Sequence, residues 1–124
     1  MRRVLAVVLL TALCLIPTSG FSDGLCPGHP LPTVPYAHET LSVGGTAVPF
    51  TAAIYNTASQ SPAIATVTLE SAQIRAWSDG TVPTASVGQL INTNVFWVCG
   101  YQAIAGFKAI ATSGTASLTV EYSK

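Results

Sequence analysis

A chain of 124 residues has room for one domain, and its length excludes a second. Apolar residues make up 49% and charged residues 8%, at a formal net charge of zero. That balance excludes a disordered chain, and it lacks the clustered Lys and Arg of a nucleic-acid binder beyond Arg2 and Arg3.

At the N-terminus Met1-Arg2-Arg3 leads into the apolar run Val4 to Ile16, then Pro17-Thr18-Ser19-Gly20. A basic start, an apolar stretch of about a dozen residues and a small-residue exit are the three parts of a secretory signal peptide. Residues 1–20 therefore read as a signal peptide or N-terminal anchor, with cleavage expected near Phe21. The run is too short for a comfortable membrane span, so no stable span is expected after its removal. Leu13 stands where a lipoprotein signal needs a small residue before Cys14, which argues against lipidation.

Removal of this segment would leave Cys26 and Cys99 as the only cysteines. An even pair in an oxidising compartment suggests one disulfide, worth roughly 3–5 kcal/mol on the entropic account. The alternative is two free thiols, with Cys99 a small buried hydrophobe after Val95-Phe96-Trp97-Val98.

Residues 21–38 form a Pro-rich extended arm: four of the eight prolines fall between Phe21 and Pro35, which forbids a regular helix or a central strand there. His29, His38 and Cys26 match no closed zinc set, so no metal is expected.

Residues 39–124 carry short runs rich in Thr, Val, Ile and Ala, separated by Gly, Asn, Ser and Pro. This predicts an all-β domain, a single small antiparallel β-sandwich of immunoglobulin-like or jelly-roll type. Strands are expected near Thr40 to Val43, Val48 to Ala53, Ala63 to Glu70, Ala72 to Ser78, Gly88 to Ile91, Val95 to Cys99, Ile104 to Thr112 and Ala116 to Tyr122. No helix of useful length is predicted beyond the signal region. Alternation assigns the faces: Val67, Leu69, Ile74, Ala76, Leu118 and Val120 point inward, while Thr66, Thr68, Glu70, Thr119 and Glu121 point outward. Arg75 and Trp77 fall on one outward face as i, i+2 neighbours that can stack.

The stretch IRAWSDGTVPTASVG, residues 74–88, concentrates turn-forming residues between two apolar runs. Asp79-Gly80 after a strand signals a tight turn, since Gly accepts positive φ without a Cβ penalty. Asp79 can accept an N–H two residues on, Pro83 stiffens the exit, and the Thr81 and Thr84 hydroxyls can bond the backbone more weakly. Every member thus has an architectural task.

This stretch, with the later FKAIATSGTASLTVEY, resembles small virion structural proteins of tailed bacteriophages, over about Leu41 to Tyr122. Over Ile74 to Ala111 the DGTxPT turn and the KAIA strand also resemble the immunoglobulin-like C-terminal accessory domain of chitobiase-type enzymes. Both resemblances imply a non-catalytic role. The first implies a structural or decoration protein acting through protein–protein contacts. The signal-like N-terminus departs from the phage pattern, so the expected location is the virion, or secreted or periplasmic if that segment is cleaved.

No enzyme is expected. The acidic residues Asp23, Glu39, Glu70, Asp79 and Glu121 show no spacing that pairs two carboxylates in one pocket. No GxSxG, SxxK, GxGxxG or Walker sequence occurs, and no cofactor is implied. What remains is contact. The protein is expected to associate with itself or with a larger virion assembly. The alternative is a secreted carbohydrate- or cell-surface-binding module, or an adhesin-like one, that uses Trp77, Trp97 and Tyr101 as an aromatic platform. Arg75, Trp77 and Tyr101 are the candidate partner contacts. Trp97, between Phe96 and Val98, reads as core, and Tyr36, Tyr55 and Tyr122 carry no signal.

Overall fold

The computed structural model describes residues 24–25, 34–92 and 94–124. The expected signal segment 1–20, most of the Pro-rich arm and Cys26 lie outside the described residues. The elements run β1 (Gly24–Leu25), β2 (Pro35–Val43), β3 (Val48–Pro49), α1 (Ala52–Tyr55), β4 (Ile64–Glu70), β5 (Ile74–Trp77), β6 (Gln89–Ile91), β7 (Val95–Cys99), α2 (Tyr101–Gly106), β8 (Lys108–Ala111) and β9 (Ala116–Ser123).

The fold is all-β. One sheet has the order β1-β7-β4-β9-β2 and the other β3-β8-β5-β6, and every ladder among the described residues is antiparallel. One buried cluster draws on both sheets, with Val43, Val67, Phe96, Val98, Leu118, Val120 and Tyr122 from the first and Ile74, Ala76, Ile91 and Ala109 from the second. The inward faces expected from alternation are the buried ones: Val67 and Leu118 are fully buried, and so is Ile74.

On the outer face of the first sheet, strand register sets Thr40 beside Thr119 and Thr119 beside Thr68. The neighbouring row is His38, Glu121, Thr66 and Trp97. Hydroxyl groups therefore dominate the middle of this face.

Three expectations change. The strand expected over residues 48–53 stops at Pro49, and Ala52 and Ala53 belong to α1. Proline has no N–H for a longer ladder. Phe50 instead stacks on Phe107 at 4.1 Å, and Tyr55 turns into the core. The strand expected from Ile104 begins only at Lys108, because residues 101–106 coil into α2 after Gly100 at φ 90°. Ala103 and Ile104 are buried side by side, a pattern a strand with one buried face cannot give. Finally, Pro35 to His38 belong to β2 rather than to the arm, since Ala37 and His38 pair with Tyr122 and Glu121. Pro35 is tolerated as the first residue of an edge strand, where a missing N–H costs least.

Candidate functional site

The stretch 74–88 is held as a built structure. The Thr81 N–H donates to Asp79 Oδ1 at 2.9 Å, closing the Asx-turn, and Gly80 takes φ 88°. The Thr81 backbone bond, then its hydroxyl, hold the Asp79 carboxyl below its usual range. Further on, Thr84 Oγ1 accepts the Val87 N–H at 3.0 Å, and the Thr84 and Val87 backbones bond each other in both directions. Pro83 is fully buried beneath this loop.

Two cations fix the loop to the second sheet. Arg75 donates from Nε to the Ala85 carbonyl at 3.2 Å and from Nη1 to the Gly88 carbonyl at 2.8 Å. Lys108 donates from Nζ to the Gly80 carbonyl at 2.8 Å. The Gly80 N–H also reaches the Gly106 carbonyl at 3.0 Å, and a Cβ at Gly106 would lie 2.7 Å from the Ser78 carbonyl oxygen. The expected Arg75 contact surface is thus spent on the chain itself, because unpaired loop carbonyls draw the guanidinium more strongly than an aromatic face does.

The aromatic residues do not form one platform. Trp77 lies half-buried on the outer face of the second sheet, opposite the buried Ile74 and Ala76. Trp97, expected in the core, is half-buried on the outer face of the first sheet, because Phe96 and Val98 take the inward positions of β7. The two indoles therefore lie on opposite sides of the shared core. Tyr101 is a third, separate feature in α2: its hydroxyl accepts from Asn56 Nδ2 at 3.1 Å, and its ring meets Tyr55 edge-on at 6.4 Å.

Compared with family models, with curated proteins and with solved structures, the chain finds no match. Among the described residues no helix is long and apolar enough to cross a membrane. Any functional reading therefore stands on the geometry.

One cluster escaped the sequence reading. Glu39 in β2 is buried, and its Oε1 accepts both the Thr51 N–H at 3.0 Å and the Tyr122 hydroxyl. Tyr36 donates its hydroxyl to the Tyr55 carbonyl at 2.6 Å, and the Tyr55 and Tyr122 rings lie 5.4 Å apart. All four tyrosines of the chain gather here. Burial, then the Glu39 hydrogen bond and charge, push the Tyr122 hydroxyl far above its ordinary range. The signal was strand parity: Glu39 falls in step with Leu41 and Val43, the inward positions of β2.

Cys99 stands at the end of β7. Beside it, β1 sets Gly24 opposite Cys99 and Leu25 opposite Val98.

The exposed apolar residues are concentrated. Val82, Val87, Leu90 and Val95 are among the large hydrophobic residues left in water, at 42–60% exposure. All four fall within residues 80–107, which contain no Asp, Glu, Lys, Arg or His. Leu90 lies in β6, the edge strand of the second sheet.

Proposed function

We propose that the protein is a non-enzymatic structural module of the phage virion or decoration type, working through protein–protein contacts. In this reading the two sheets form a β-sandwich of immunoglobulin-like or jelly-roll kind. The observation that carries the contact role is the charge-free stretch 80–107, with Val82, Val87 and Leu90 exposed beside the β6 edge. The cores of protein interfaces are poor in charge, since a buried unpaired charge costs more than its contacts return. A sheet edge adds backbone groups that a second chain can pair with. The occupant we assign is a second copy of this chain: its own β6 edge is equally neutral, and the nearest cation, Arg75 opposite Leu90, is already held by the Ala85 and Gly88 carbonyls.

Pairing of Cys99 with Cys26 belongs to the same proposal. The chain has three cysteines, and Cys14 falls in the segment that export would remove. The register of β1 supports it by bringing Leu25 alongside Val98.

Sedimentation velocity on the full chain tests the contact surface. The expected result is a concentration-dependent mass above that of one chain, 12.8 kDa, lost in a Val87→Asp, Leu90→Asp double variant whose circular dichroism and thermal midpoint are unchanged. A single-chain mass at every concentration would remove the self-association reading, as would a variant that associates as strongly as the parent.

A further inference from the structure

A cavity of about 390 Å³ opens where the β4–β5 connection meets the segment between β6 and β7, lined by Leu69, Ser71, Ala72, Gln73, Asn92 and Asn94. We propose that it binds a neutral saccharide. The cavity shares Asn92 and Asn94 with the stretch 80–107, whereas Val82, Val87 and Leu90, which carry the contact surface, line no part of it.

Among the described residues the lining contains no ionisable side chain and carries three amides. Each amide offers an acceptor oxygen beside two N–H donors. Neighbouring hydroxyls on a sugar ring present the same alternation, each giving and taking one bond, so paired amides match them. None of the Gln73, Asn92 and Asn94 side chains has a hydrogen-bond partner among the described residues. Leu69 and Ala72 add an apolar wall suited to the C–H face of a ring. A charged ligand would find no counter-charge among these described residues to relieve its desolvation.

The backbone under these groups is already fixed. The Asn94 carbonyl accepts the Leu69 N–H at 2.7 Å. The Gln73 carbonyl accepts the Thr112 N–H at 3.0 Å and the Thr112 hydroxyl at 3.3 Å. Ser71 is held at φ 73°, unusual for a residue with a Cβ, while its hydroxyl donates to the Glu70 carbonyl at 2.6 Å and lies 3.3 Å from that of Thr115. A fixed rim lowers the ordering cost of binding. The volume lies within the range of about 300–1,000 Å³ common for small-molecule sites.

The test follows the side-chain NH₂ resonances of Gln73, Asn92 and Asn94 in isotope-labelled full-length protein, titrated separately with N-acetylglucosamine, galactose, glycerol and N-methylacetamide. The expected result is a saturable shift of these signals with at least one of the two sugars, and none with glycerol. In an Asn92→Leu, Asn94→Leu variant with an otherwise unchanged spectrum, affinity should fall at least tenfold. Should that variant fail to fold, Gln73→Leu provides the same comparison. The proposal is overturned if neither sugar gives a saturable shift, if glycerol matches the sugars, or if the variants bind as the parent does. It is equally overturned if N-methylacetamide alone shifts the signals, which would make this a site for peptide backbone.

Discussion

Glu39 and Asp79 each hold a backbone N–H on a carboxyl oxygen, Glu39 from Thr51 at 3.0 Å and Asp79 from Thr81 at 2.9 Å. Their surroundings differ in every other respect. Glu39 is 7% exposed and also takes the hydroxyl of a fully buried tyrosine. Asp79 stands in water, on a turn that Lys108 and Gly106 already pin. The worth of such a bond is set by what its partners would do without it. Water replaces Asp79 at once, whereas the Tyr122 hydroxyl that Glu39 satisfies is sealed in the core, where water does not take its place.

Alanine at position 39 tests this most severely. Glu39→Ala leaves the Thr51 N–H and the Tyr122 hydroxyl without their shared acceptor, and should lower the unfolding free energy by about 3 kcal/mol. The measurement is urea unfolding, where the midpoint falls at unchanged slope. Glu39→Gln keeps an acceptor oxygen and should recover most of the loss. A loss below about 1 kcal/mol for alanine would place the buried bond on a par with an ordinary exposed one.

Alkaline pH gives the next largest effect. Tyr122 ionises far less readily in the folded chain, through burial first and the Glu39 bond and charge second. Burial raises Tyr55 and Tyr36 as well. A raised tyrosine contributes stability that is whole below the unfolded value, 10.0, and is lost as pH climbs above it. Thermal midpoints should therefore hold up to about pH 9 and fall beyond pH 10. Tyr122→Phe should flatten that fall, and an equally steep decline in the variant would assign it elsewhere.

Asp79→Ala should give the smallest change of the three. Its lowered carboxyl works in the opposite sense: the contribution is present above the unfolded value, 3.8, and disappears as pH falls through the lower folded one. The midpoint of the alanine variant should match the parent in strong acid and trail it slightly at neutral pH. A midpoint loss as large as that of Glu39→Ala would break the comparison.

The same pair shows what was legible in the sequence. Asp79 and its partner are two residues apart, so the Asx-turn is written in the local order Asp-Gly-Thr. Glu39 reaches partners 12 and 83 residues away, and no local pattern names them. Period-2 alternation revealed the inward faces of β4, β5 and β9, because those strands have one buried face, whereas the apolar run of β7 marked its boundaries but not that Trp97 faces outward. The one-turn helices α1 and α2 stayed hidden. Four and six residues are too few to show a helical period, and they are held by distant rings, Phe50 on Phe107 and Tyr55 against Tyr101. The amide cavity was equally illegible, because Gln73 and Asn92 are ordinary polar residues until the sheet brings their loops together.

Between Arg75 and Lys108 the chain contains no Lys or Arg, and the head groups of these two residues are tied to loop carbonyls. A protease that cuts after basic residues therefore has no site inside this span and poor access to its ends. Complete digestion of the unfolded protein should release it as one long peptide carrying Cys99, a fragment whose mass before and after reduction tests the proposed bond to Cys26 directly. Digestion of the folded protein by such a protease would leave the 80–107 surface unmapped, so protection there has to be followed with an enzyme that cleaves beside apolar side chains.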